Sequence, residues 1–326
     1  MTIAIYGTDL FGDVIQPKAS GVVKQRFVMP PFTILDAKQG EWQDRKRAWA
    51  TIGIKGELGR DAAAYGDASQ WQARTVKGAN CTAGANSCML GATKTENEGQ
   101  CVTSIFDPVV CELAYRWFSP KGGQIVDPFA GGSVRGIVAG ALGRKYWGCD
   151  LRAEQVAANE QQANEIETEC KPEWVCGDST NMLDAAPDAD FIFSCPPYGD
   201  LEVYSDDPAD LSNMEWHTFV AAYKRIILRA VKKMKPDTFA CFVVGDFRDA
   251  KGFYRNFVSE TIDGFQQCGA MLYNEAILAT ATGSAAMRVT KQFNTSRKLV
   301  KTHQNILVFC KGDPRAATAK LDVFTD

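Results

Sequence analysis

The chain has 326 residues, of which 45% are apolar and 23% charged, and its formal net charge is −3. That length can bury a large core, as one big domain or two ordinary ones. No apolar run approaches the ~18 residues of a membrane-spanning helix, and the small net charge gives no sign of a nucleic-acid partner until its distribution is read.

The opening residues, MTIAIYGTDLFGD, lack the basic stretch and apolar core of a secretory signal, so a cytoplasmic protein is expected. The eleven cysteines form no CxxC pair, and Cys149 in KYWGCD and Cys310 in ILVFCK fall inside apparent strands as small buried hydrophobes. Reduced thiols are therefore expected. Cys81, Cys88 and Cys101 are spaced too loosely for a structural zinc site, and no metal is expected.

Residues 1–100 differ in texture from the rest and read as an N-terminal accessory region. Within it, MPPFTILDA predicts a short extended element and EWQDRKRAWATIGI a helix, while 76–100 reads as loop. Arg45, Lys46 and Arg47 cluster between Trp42 and Trp49.

From about residue 101 to 313 the pattern becomes regular. SIFDPVVCELAYRWF has helical spacing, with Asp107 as cap and Pro108 at the first helical position. QIVDPFAGGS reads as strand and glycine turn, VRGIVAGALG as helix, KYWGCDL as strand, AEQVAANEQQANEI as helix and PEWVCGDS as strand. The strand in FIFSCPPYGD ends abruptly, because neither proline can donate a backbone N–H or lie inside a central strand. MEWHTFVAAYKRIILRAVKKM follows as helix and TFACFVVGDF as strand. A helix over roughly 253–268, the strand MLYNEAILAT, a basic loop over 282–303 and the strand QNILVFCK complete the unit, ahead of a C-terminal tail, 314–326. Alternating β and α elements predict an α/β, doubly wound, mostly parallel sheet whose last hairpin is antiparallel.

Three strands end in acids. Asp127 opens the glycine turn, Asp150 ends the next strand and Asp178 the one after. A glycine turn lets backbone approach a ligand closely, and an acid at the second strand-end can bind ribose hydroxyls. An acid at the third can meet a purine edge.

With these motifs the chain resembles the S-adenosylmethionine-dependent DNA amino-methyltransferases, which modify adenine N6 or cytosine N4. Asp127-Pro128-Phe129-Ala130-Gly131-Gly132-Ser133 is similar to the family's cofactor turn, and Cys195-Pro196-Pro197-Tyr198 to its catalytic motif. SIFDPVVCELAYRWF resembles the helix that closes over the methionine end, and KTHQNILVFCKG the closing strand; the texture is also that of phage and prophage methylases with restriction-modification roles.

The resemblance implies a Rossmann-like class I methyltransferase fold, S-adenosyl-L-methionine as cofactor and double-stranded DNA as substrate. It implies a cytoplasmic or nucleoid-associated protein of a bacterial host, monomer or homodimer. Phe106, Asp127, Phe129, Gly131, Asp150 and Asp178 would hold the cofactor. Cys195 and the Pro196 carbonyl would accept from the target amino group, with Pro197 stiffening the turn and Tyr198 stacking on a flipped base. Asp246 and Phe247 would wall the base pocket. Target reading falls to Trp42–Arg60 and to the basic loop, with Arg288, Lys291, Arg297, Lys298 and Lys301, residue types that contact phosphates and base edges.

Cys195 departs from the family, which has Asp, Asn or Ser there, and a thiol is a weak acceptor. Three accounts stand open: cysteine in place of serine; an acceptor from Asp200 or Ser194; or a nucleophilic Cys195 for cytosine C5 methylation. RNA and protein-glutamine methyltransferases, and a catalytically silent DNA-binding protein, are the rival readings of the whole chain.

Overall fold

A computed structural model describes residues 27–55, 106–199, 205, 207–280 and 285–324. One sheet of eight strands runs through them: β1 (Ile34–Asp36), β2 (Gln124–Asp127), β3 (Lys145–Asp150), β4 (Glu173–Cys176), β5 (Ala189–Ser194), β6 (Met234–Val244), β7 (Ala270–Ala279) and β8 (His303–Lys311). Their order is β1-β7-β8-β6-β5-β2-β3-β4. Every neighbouring pair is parallel except those of β8, which lies antiparallel between β6 and β7. The expected doubly wound sheet with an antiparallel last hairpin is what forms.

The central strands are apolar throughout because both faces are covered. Successive side chains point to opposite faces, so Phe191, Phe193, Phe239, Cys241 and Val243 join one buried layer while Ile192, Ala240, Phe242 and Val244 join the other. The first layer takes α1 (Gly40–Thr51), α2 (Pro108–Phe118), α3 (Val134–Ala141) and α4 (Ala153–Glu165). The second takes α5 (Ser179–Met182), α6 (Trp216–Lys233) and α7 (Phe257–Gln267). Two further helices, α8 (Ala285–Ser296) and α9 (Pro314–Thr318), flank β8 in sequence. No helix among the described residues is long and apolar enough to cross a membrane.

The start of α2 follows its sequence. Asp107 accepts the Val109 amide at 2.9 Å and Pro108 occupies the first turn, where its missing N–H costs nothing.

Two expectations are corrected. Trp42 and Trp49 are buried, and Arg45 is 8% exposed and bound to the fully buried Glu112 through both Nε and Nη2. Trp49 Nε1 and Arg116 Nε also donate to Glu112, at 2.8 and 2.9 Å. Burial alone would raise the Glu112 carboxyl, but these donors outweigh it and bring it below the ordinary carboxylate value. Trp42, Arg45 and Trp49, from the stretch expected as a nucleic-acid surface, thus form a packed joint between α1 and α2, whereas Arg47 stays exposed and paired with Asp44. Second, the segment expected as a basic loop is largely the helix α8. The loop-like 76–100, the rest of the Trp42–Arg60 stretch from 56, Cys81, Cys88 and Cys101, and Asp200 lie outside the described residues.

Candidate active site

The carboxyl ends of β2 to β6 share one edge of the sheet, and the predicted motifs gather there. Gly131 takes φ +50°, a left-handed conformation that a side chain rarely adopts. Its N–H donates to Asp150 Oδ2 at 2.9 Å, and its carbonyl accepts from Asn159 Nδ2 at 2.7 Å. Asp150 Oδ1 accepts the Arg152 amide at 2.9 Å. Each Asp150 oxygen thus has one backbone donor and room for another. Burial raises the Asp150 carboxyl above its ordinary value, while the Arg152 and Gly131 amides pull it back.

Asp178 ends β4's loop by capping α5, with Oδ1 on the Thr180 amide at 2.8 Å. Phe106 sits edge-on to Phe193 with ring centroids 5.8 Å apart, and the Arg135 guanidinium lies 4.8 Å from the Phe106 ring centre. Phe129 packs against Tyr223 and Phe242.

Asp127 behaves differently from its neighbours. It is fully buried and accepts four hydrogen bonds: Phe129 N (3.1 Å) and Ser194 Oγ on Oδ1, Arg135 Nε (2.6 Å) and the Tyr146 hydroxyl (2.8 Å) on Oδ2. A carboxylate has about four acceptor positions, so its capacity is filled by protein. Burial works against the charge on Arg135, yet Asp127 more than offsets this and raises the guanidinium pKa. Asp127 is expected among the residues that hold the cofactor; its carboxylate, with its acceptor positions taken by protein, braces the turn. Arg135 was not singled out in the sequence, although a lone arginine on the apolar face of VRGIVAGALG signals a buried partner.

Ser194 joins the two motifs. It is the last residue of β5 and donates to Asp127 at the end of the neighbouring β2. Directly after it come the half-buried Cys195, the buried Pro196 and the half-buried Pro197 and Tyr198. The Tyr198 ring meets Phe247 at 6.2 Å and Phe257 at 6.0 Å, both edge-on, and its hydroxyl accepts from Gln304 Nε2 at 2.8 Å. Gly199 takes φ +55°, and a Cβ there would lie 3.1 Å from Phe247 Cζ. Phe247 itself is 1% exposed, so it supports the tyrosine from behind and does not line an open pocket. Asp246 Oδ1 accepts the Val258 amide at 3.1 Å, fixing the start of α7.

The cations fall into two groups. Lys301 lies beside the site: a Cβ built on Gly245 would be 3.5 Å from Lys301 Cε and 3.7 Å from Tyr198 Cε1. Burial lowers the Lys301 pKa, against the pull of Asp246. Lys291 and Arg297 are exposed on and just past α8, with Arg297 over the Phe293 ring at 5.0 Å. Lys298 reaches toward Gly252. The side chain of Arg288 lies outside the described residues.

No family model and no curated protein matches the chain. Among solved structures, TrmN from Thermus thermophilus is 13% identical, covering 63% of this chain and 49% of its own, with a TM-score of 0.44, so the chain spans about half of that protein. A precorrin-6y C5,15-methyltransferase from Geobacter metallireducens is 13% identical over 64% of this chain and 90% of its own, with a TM-score of 0.42. A SAM-dependent methyltransferase from Methanosarcina mazei is 14% identical over 61% of this chain and 97% of its own, also at 0.42. The chain's own strand order, with β8 antiparallel between β6 and β7 and helices on both faces, decides the fold. It is Rossmann-like, of the class I methyltransferase type.

Proposed function

We propose that the chain transfers a methyl group from S-adenosylmethionine to the exocyclic amino group of a flipped base, cytosine N4 or adenine N6, in double-stranded DNA. What supports this most is the direct Ser194–Asp127 hydrogen bond, which ties the Cys195–Tyr198 turn to the glycine turn on the adjoining strand. A methyl donor and a planar acceptor can then meet over one crevice. The residues suit the donor: Asp150 has acceptor capacity left for ribose hydroxyls, Asp178 keeps Oδ2 for a purine edge, and Phe106 and Phe129 give apolar walls.

When bound, S-adenosylmethionine supplies a sulfonium-activated methyl group. The protein's own work is then positioning and electrostatics. An exocyclic amino group is a poor nucleophile because its lone pair is delocalised into the ring. The Pro196 carbonyl and the Cys195 side chain are the acceptors that would hold its hydrogens and favour a pyramidal nitrogen. Tyr198, braced by Phe247, Phe257 and Gln304, supplies a stacking face for the extruded base.

The reading is tested by incubating the protein with unmethylated genomic DNA and labelled cofactor, then digesting to nucleosides for mass spectrometry. Methylated N4-cytosine or N6-adenine is the expected product. Absence of any methylated nucleoside, in a protein whose melting temperature the cofactor raises, would leave a methyltransferase of another substrate.

Cys195→Ser sharpens the mechanism. A hydroxyl is a better acceptor than a thiol, so turnover is expected to stay level or rise by up to about tenfold. Complete loss, with a covalent adduct of the unsubstituted protein on 5-fluorocytosine DNA, would instead assign Cys195 as a C5 nucleophile.

A further inference from the structure

A loop tied by its own hydrogen bonds can present an exposed aromatic residue at a fixed place, and loops on a rigid scaffold are where binding residues concentrate. The loop from Arg248 to Arg255 is such a case. It leaves the carboxyl end of β6 just after Phe247, the residue that backs Tyr198. It closes on itself through Asp249 N to Phe253 O (2.8 Å), Phe253 N to Asp249 Oδ1 (2.9 Å) and Gly252 N to Asp249 O (3.0 Å). Arg248 Nη1 adds a bond to Gly252 O at 2.8 Å, and the Arg255 amide returns to Phe247 O at 2.9 Å. The amide of Phe253 also lowers the Asp249 pKa, in keeping with a turn held by that carboxylate.

On this frame Phe253 is 70% exposed. Tyr254 beside it is 42% exposed, with the Arg248 guanidinium 3.9 Å from its ring centre. The loop carries three basic residues, Arg248, Lys251 and Arg255, against one acid, Asp249. Lys298 approaches it at Gly252, where an added Cβ would lie 2.6 Å from the ammonium, so this one cation past the end of α8 borders the same surface. The backbone bonds order the loop before any partner arrives, which removes the entropy that an exposed phenylalanine would otherwise lose on docking.

We infer that Phe253 is a wedge that inserts between stacked bases of a nucleic-acid duplex, next to the base held by Tyr198, with the surrounding cations on the flanking phosphates. The inference rests on the nucleic-acid reading of the site. An apolar wedge offsets part of the cost of unstacking a duplex, and a positive rim matches a polyanion. The loop begins directly after Phe247, whose ring lies 6.2 Å from that of Tyr198, so the wedge and the stacking ring are carried by adjoining pieces of structure.

The test measures binding of the full chain, with the demethylated cofactor product present, to a short fluorescein-labelled DNA duplex and to the same duplex with a central mismatch. Unstacking is cheaper at a mismatch, so a wedge protein prefers it. The unsubstituted protein is expected to bind the mismatched duplex about tenfold more tightly, and Phe253→Ala to lose most of that preference. Phe253→Trp, which keeps a flat apolar face, restores it. Equal binding of both duplexes by the unsubstituted protein, or a preference that survives in Phe253→Ala, overturns the wedge. Failure to bind either duplex overturns the nucleic-acid reading itself. Loss of protein capture by Phe253→Ala, with the duplex preference intact, reassigns the loop to a protein partner.

Discussion

Tyr198→Ala is expected to lower methyl transfer by roughly 10- to 100-fold, the worth of one base–aromatic stack. Cofactor binding should survive, because the residues suited to it hang on β2, β3 and β4 and bond to one another without Tyr198. The ring's neighbours Phe247 and Phe257 are fixed independently among Trp216, Phe219 and Tyr223, so the cavity left behind has firm walls. Tyr198→Phe separates the ring from the hydroxyl. It loses only the bond from Gln304 and should remain within about tenfold of the parent. Steady-state methyl transfer and the cofactor-induced shift in melting temperature read the two effects apart. Turnover by Tyr198→Ala equal to that of the parent removes the stacking role.

The second large effect concerns stability. Asp127→Asn replaces an acceptor-only group by one whose amide would face the donors Arg135, Tyr146 or Ser194. It also strands the Arg135 guanidinium, 5% exposed, without its counter-charge. Breaking a buried pair on one side costs about 3–5 kcal/mol. For a chain of this size that corresponds to a fall in melting temperature of roughly 4–8 °C without cofactor. Had Asp127 held the cofactor by its carboxylate, the variant would instead melt normally alone and lose only the cofactor-induced shift. A thermal scan with and without cofactor distinguishes the two, and an unchanged melting temperature of the protein alone would refute the bracing role.

Much of this architecture was legible along the chain because its signals are local. The cap at Asp107, the proline at 108, and the stop that Pro196 and Pro197 impose on β5 all act within a few residues of themselves. The strands announced themselves as short apolar runs, since both faces of the sheet are covered. What stayed hidden depends on distant partners. Arg45 reads as a surface charge until Glu112, 67 residues away, is brought against it. β1 is only three residues long, and its parallel register with Ile277–Ala279 has no local signature. The α8 segment carries Val289 and Phe293 at helical spacing, but its β-branched and asparagine residues weaken the helical propensity, and its cations suit a solvated loop as well as a helix. At the site, the strand-end acids were easy to find, whereas Asp127's filled acceptor set depends on Arg135, Tyr146 and Ser194 converging from three elements.

The joint at Glu112 bears on how such a protein could be shortened or recombined. A catalytic module cut to begin at Phe106 would keep the carboxylate and discard Arg45 and Trp49, two of the three side chains that donate to it. The remaining Arg116 would face a negative group opened to solvent on the helix that precedes the glycine turn. Any transplant of this scaffold therefore has to carry the early helix along with the sheet, because the two are soldered by charge as well as by tryptophan.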